Sequence, residues 1–168
     1  FKESFERLEA RVLPAESVLD LPQPCLRLPA DQLVPVYSAL FQSGTAVAMP
    51  IECVAKRPDG TPLLGGLFTE RHKETTDRLI FDRRPQNAGE ARLSWARLPL
   101  GSQLCRIILR PYHVLRASGD DLKTFFPRIK QHPRALSRNA FGKPFLGSLF
   151  PELKLDPSRV FVACMEVL

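Results

Sequence analysis

The chain has 168 residues, 44% of them hydrophobic, which suits one globular domain or part of a larger one. No apolar run approaches the roughly 20 residues that span a bilayer, and the N-terminal stretch FKESFERLEARVL is charged and amphipathic rather than signal-like, so no membrane partner is expected. Lys and Arg number 24 against 18 Asp and Glu, a net charge of +6 that is compatible with a polyanionic partner.

Taken in chain order, residues 1–13 place Phe1, Phe5, Leu8 and Val12 at helical spacing, which predicts a surface helix. Residues 14–35 hold five prolines and read as an irregular connector wrapped on a core or loosely held. Asp31 is the expected cap of a second helix running to about Ser43, with Pro35 in its first turns and Gly44 ending it. A strand is expected over 51–56, a turn at Pro58-Asp59-Gly60, and a partner strand over 63–68 weakened by Gly65 and Gly66. The charged stretch 69–77 reads as a solvated loop, and 78–82 as a compact strand stopped by Pro85. Segments 104–109 and 112–117 are further strand candidates around Pro111, and 121–130 a helix distorted at Pro127. Residues 131–158 show no clear periodicity, and 159–168 read as a strand. This order of elements predicts an α+β fold.

The cysteines, Cys25, Cys53, Cys105 and Cys164, are widely spaced, with no CxxC pair for a zinc site. They read as small buried residues in a reducing compartment, hence an intracellular chain, nuclear or cytoplasmic. His72, His113 and His132 are equally scattered, and no metal site is expected from them.

Two segments carry chemistry. In 118–129 (SGDDLKTFFPRI), a carboxylate stands at a strand end just before a helix start, with the next peptide carbonyl beside it. Hard divalent cations such as Mg²⁺ take oxygen ligands of this kind and keep substrate phosphates in their other positions, as phosphoryl transfer requires. Asp120 and Asp121 serve equally well as helix N-caps. In 78–87 (RLIFDRRPQN), Arg78, Arg83 and Arg84 surround a strand end, preceded by Arg71 and Lys73. Arginine forks match phosphate oxygens bidentately. The alternative is a solvated basic strand with Asp82 as its internal ion-pair partner.

Together the segments resemble the reverse-transcriptase family, the RNA-directed DNA polymerases of retroelements. Arg78, Asp82, Arg84 and Asn87 fit that family's fingers pattern R-x-hydrophobic-hydrophobic-D-x-R-x-x-N. Asp121, Leu122, Phe126 and Ile129 fit its first palm motif, D-L-x-x-x-F-x-x-I. The two motif aspartates stand about 39 positions apart, a separation of the family's order. Residues 44–60 look like the outer fingers hairpin, and the resemblance covers roughly 33–168, after an N-terminal helix and connector over 1–32.

The resemblance implies the fingers and an incomplete palm of a right-hand polymerase, with mixed antiparallel strands and packed helices. It implies that Arg78 contacts the triphosphate of an incoming deoxynucleotide, with Arg71 or Lys73 as a second basic contact. Asp121 would ligate two catalytic Mg²⁺ ions with the Leu122 carbonyl beside it. Phe126 would be the ring under the sugar that leaves no room for a ribose 2′-hydroxyl, or plain core packing beside Phe125. The partners implied are an RNA template and a DNA primer, tracked by basic residues such as Arg128, Lys130, Arg134 and Arg138. Pro127 departs from the family's pattern. The family's next motif after this palm segment, a Pro-x-Gly turn following a hydrophobic strand, and its later Asp-Asp hairpin do not occur after Ile129, so the chain is expected to be a fragment without polymerase activity by itself. Gly119-Asp120-Asp121 also spells the Gly-Asp-Asp hairpin of viral RNA-templated RNA polymerases. That hairpin needs strands on both sides, and the helix-like LKTFFPRIK follows instead. Two other readings stand beside the polymerase: a non-catalytic nucleic-acid-binding or scaffold protein derived from a reverse transcriptase, and a basic α+β interaction domain.

Overall fold

The structure is a computed structural model, and it describes residues 12–14, 20–91, 106–116, 118 and 129–167. The described residues form a mixed α+β arrangement of antiparallel sheets with few helices. A single 3₁₀ turn, Ala30–Gln32, leads into helix α1, Leu33–Gln42. Asp31 lies inside that turn and makes no cap; Gln32 takes the cap position without a side-chain bond. Leu33, Val36, Tyr37, Leu40 and Phe41 recur at helical spacing and supply the face that packs on the core. Gly44, at φ +66°, ends the helix as expected, with the Thr45 N–H donating back to the Leu40 carbonyl at 3.0 Å.

Strand β1 is Ala46–Pro50, not 51–56. Proline lacks a ladder donor, and it is tolerated here because β1 is the outer strand of its sheet. Beyond Pro50 the chain makes one 3₁₀ turn, Ile51–Cys53. It then pairs Lys56 with Pro62 around the expected Pro58-Asp59-Gly60 turn, where Gly60 takes φ +83°.

Strands β2, Gly66–Lys73, and β3, Thr76–Asp82, form a two-stranded antiparallel hairpin. The stretch 69–77 is therefore mostly strand, with Glu74 and Thr75 as the turn, rather than a solvated loop. Its charge is compatible with pairing because the ladder satisfies the backbone while both faces stay in water, as the exposure of residues 69–79 shows. Helix α2, Arg84–Ala88, follows directly, with Pro85 in its first turn, where a missing N–H costs nothing.

Strand β4, Ala140–Leu146, lies in the stretch without legible periodicity, because Gly142 and Pro144 interrupt its alternation and the ladder breaks between Phe141 and Phe145. Strand β5, Val160–Met165, is central, with sheet order β1-β5-β4. Both its faces are buried: Phe161, Ala163 and Met165 in the main core, Val162 and Cys164 in a second cluster with Val54 and Ala140. That explains the unbroken apolar run in its sequence. Residues 106–116 contain no strand; Pro111 and Tyr112 form a turn closed by the His113 N–H on the Arg110 carbonyl at 3.0 Å. Of the two helices expected over 1–13 and 121–130, only residues 12–13 and 129–130 lie among the described residues. Of those, Lys130 pairs with Val167 as an extended bridge.

The main core is aromatic. Tyr37, Phe41, Phe145 and Phe150 meet edge-on or stacked at centroid distances of 4.7–6.3 Å. Tyr37 is fully buried, and its hydroxyl accepts from the Lys143 N–H at 3.0 Å. Gly142, at φ +75°, lets β4 pass this hydroxyl, since any Cβ there would run into it. Burial raises the Tyr37 pKa above its ordinary value and pushes the Cys164 thiol up to about 12. Cys164 is the buried thiol expected from the sequence; Cys53 is exposed and Cys25 half-buried, against that expectation, and Cys105 lies outside the described residues. Among the described residues no helix is long and apolar enough to cross a membrane.

Candidate functional site

The hairpin is held at its base and free at its tip. Gly65, just before β2, accepts from the Gly142 N–H at 3.0 Å and donates to the Ala140 carbonyl at 2.8 Å, which docks the hairpin on β4. Gln86 of α2 is fully buried, and its side-chain amide donates to the same Ala140 carbonyl at 2.9 Å. Leu67 is fully buried and Phe81 packs on Phe141 at 5.2 Å. The proline-rich connector lies along the other side of the base: Leu26 pairs in parallel with Leu67, and the Arg27 N–H donates to the Leu67 carbonyl at 3.0 Å. Gly66 permits this approach, because a Cβ at that position would collide with the Cys25 backbone.

Asp82 closes β3 and is buried. Arg84 grips it with two bonds, Nε to Oδ1 at 2.8 Å and Nη2 to Oδ2 at 2.7 Å. The Cys25 N–H adds a third at 2.7 Å and the Arg84 N–H a fourth at 3.1 Å. The Arg84 guanidinium foremost, with the two backbone N–H groups, holds the Asp82 carboxyl well below the usual carboxylate range against the opposing effect of burial. Two of the four residues of the fingers pattern are thus bonded to each other, fastening connector, strand and helix together. Arg83 on the same turn pairs with Glu90 at 3.0 Å, and Arg138 approaches the same carboxylate at 3.7 Å.

Cys25, Arg27, Phe68, Ile80, Asp82, Arg84 and Asn87 line an open cleft of about 680 Å³. Strand alternation puts Arg78, Ile80 and Asp82 on one face of β3; of these Ile80 and Asp82 line the cleft, together with Phe81 of the other face. Arg78 is exposed, opposite Glu70, and its Nη2 lies 3.2 Å from His72 Nδ1. The two candidates for the second basic contact fall on opposite faces. Arg71 pairs with Asp77, whose side chain points away from Arg78. The ladder shifts between Arg71 and Lys73, so Lys73 pairs with Thr76 on the Arg78 face.

Asp120, Asp121, Leu122 and Phe126 lie outside the described residues, as does Arg128. Among the described residues no three His, Cys, Asp or Glu side chains gather as a metal site. Of the basic residues expected to track a template, Lys130 is paired with Glu166 at 3.1 Å, Arg138 is turned toward Glu90, and Arg134 is exposed. Sequence reasoning missed His72, Cys25 and Arg27. Nothing in the pattern of residues marks the ladder shift that brings His72 to Arg78, and the connector's contact with the hairpin is a tertiary one. Comparisons with family models, curated proteins and solved structures returned no match.

Proposed function

We propose that this chain supplies the fingers and first palm segment of an RNA-directed DNA polymerase of the reverse-transcriptase type. The observation that carries the reading is the shared face of β3. Arg78 stands exposed further along the strand face that carries Asp82, and Asp82, Arg84 and Asn87 line a roomy cleft, so three of the four pattern residues share one cleft and the fourth shares its strand face. In this reading Arg78 and Lys73 meet the triphosphate of an incoming deoxynucleotide with charge-assisted bonds. The cleft beside them receives nucleic acid, with Arg27 and Arg84 at its wall. Asp121 and the Leu122 carbonyl are hard oxygen donors, a set that suits Mg²⁺. The bound ions would clamp the attacking and leaving oxygens of nucleotidyl transfer. Phe126, five residues after Asp121, is the proposed ring that selects deoxyribose.

The test is an equilibrium titration of this chain with a fluorescent deoxynucleoside triphosphate and Mg²⁺. Arg78→Ala and Lys73→Ala each weaken binding, by up to the 1.5–3 kcal/mol typical of about one charged hydrogen bond. Arg71→Ala, on the far face, leaves it nearly unchanged. Loss of binding with Arg71→Ala and none with Lys73→Ala would contradict the assignment.

A further inference from the structure

Helix α2 borders two separate hollows. Arg84 and Asn87 line the cleft beside the hairpin, whereas Pro85 and Gly89, four positions apart, line a cavity of about 210 Å³ on another side of the helix. Leu13, Leu21 and Leu63 add to its apolar wall. The charged part of the lining is basic, made by Lys56, Arg57 and Arg138, and no carboxylate lines the cavity among the described residues. Two backbone bonds bring these walls together from distant parts of the chain. The Ala55 N–H donates to the Ser137 carbonyl at 2.9 Å, which sets the turn at 56–58 beside Arg138. The Leu13 N–H donates to the Gly89 carbonyl at 3.0 Å, which brings the N-terminal segment against the end of α2.

These cations are under-compensated. Lys56 and Arg57 form no ion pair among the described residues. Asp59 lies near Arg57, but Thr61 occupies its carboxylate, donating from its N–H at 2.9 Å and its hydroxyl at 2.6 Å. Arg138 stands 3.7 Å from Glu90, a carboxylate that already accepts from Arg83 at 3.0 Å, and the buried Nε of Arg138 has no hydrogen-bond partner. With Lys56, Arg57, Arg83 and Arg138 set against Asp59 and Glu90, two positive charges remain in excess. Gly89 keeps one of the guanidinium groups accessible. Its φ of −92° suits any residue, and a Cβ there would meet Arg138 Nη2 and the Gln86 carbonyl at 3.6 Å, an ordinary contact. Neither backbone nor packing demands glycine at this position, so what its missing side chain provides is open space over Nη2.

We propose that this cavity binds a small organic phosphate monoester with an apolar body, of the aryl phosphate class, and that Lys56, Arg57 and Arg138 hold its phosphate. A phosphate monoester carries about −1.5 to −2 charge at neutral pH, which matches the local excess. Guanidinium forks fit its oxygens in pairs, and a lysine adds a point charge. A cavity of about 150 Å³ already admits benzene, so the apolar wall has room for one ring with the phosphate at the basic side. Hollows of this kind, apolar with a few placed polar groups, are the usual form of a small-molecule site. The site is separate from the Arg78 face and stands whether or not the polymerase reading does.

The experiment is a calorimetric titration of the chain with phenyl phosphate and, as the ligand without a body, inorganic phosphate. Phenyl phosphate is expected to bind saturably and severalfold more tightly than inorganic phosphate. Lys56→Gln, at an exposed side chain, and Arg57→Gln are each expected to weaken it severalfold. Gly89→Ala, whose methyl fits the fold but covers Nη2, is expected to weaken it too, while Arg78→Ala leaves it unchanged. The urea midpoint of each variant is read alongside; should Gly89→Ala lower it, Lys56→Gln carries the test. No saturable binding, or equal affinity for the two ligands, overturns the proposal. So does binding that Lys56→Gln leaves untouched, or that Arg78→Ala removes, since the ligand then sits on the hairpin.

Discussion

At the scale of single residues, Asp82 shows how one side chain serves the architecture around a site. It is buried, takes four hydrogen bonds and ties the sequence-distant connector at Cys25 to the junction of β3 and α2. Asp82→Asn turns one acceptor oxygen into a donor and leaves the Arg84 guanidinium without its counter-ion. The expected loss is about 1–3 kcal/mol of stability, read from urea denaturation. The pH dependence follows from the depressed carboxyl. Its folded pKa lies below the unfolded value of about 3.9, so its contribution is complete above that value and lost as pH falls toward the folded pKa. The stability difference between the unaltered chain and Asp82→Asn should therefore shrink on acidification below about pH 4. A difference independent of pH over that range would show that the ion pair is not what Asp82 contributes.

At the scale of elements, the hairpin depends on the connector that lies against it. Gly66→Ala is expected to separate the two, because a Cβ there meets the Cys25 backbone, which cannot yield as a side-chain tip could. Limited proteolysis within 20–29 should become faster in that variant while α1 and the β1-β5-β4 sheet keep their protection; unchanged cleavage would mean that the contact is not needed. The same elements show what was legible in the sequence. Helix α1 was readable from Pro35 in its first turns and Gly44 at its end, though Asp31 is not its cap, and β3 and β5 from compact apolar runs. Strand β1 was displaced because Ala46–Pro50 ends in proline, which an outer strand tolerates but local propensity discounts. Most of β2 was lost to its charge, since a two-stranded ribbon wet on both faces has no apolar alternation to announce it. Strand β4 was hidden by Gly142 and Pro144, whose reasons, the Tyr37 hydroxyl and the broken ladder, are tertiary. The sequence pattern named Asp82, Arg84 and Asn87, which meet at one cleft, but the opposite faces of Arg71 and Lys73 needed the register.

At the scale of the whole molecule, the excess of basic residues and the cleft face predict weak, sequence-independent binding to nucleic acid. Counterion release makes such binding fall steeply with salt. A filter or anisotropy titration with single-stranded oligonucleotides should show this; binding indifferent to salt would contradict an electrostatic footprint. The central claim, that these residues belong to an RNA-templated DNA polymerase, is tested most directly by primer extension on an RNA template with the full gene product that contains them. The account predicts extension with deoxynucleotides that Asp121→Asn abolishes and Asp120→Asn largely retains, while Arg78→Ala raises the apparent KM. No extension by the unaltered protein, or an active Asp121→Asn beside a dead Asp120→Asn, would contradict it.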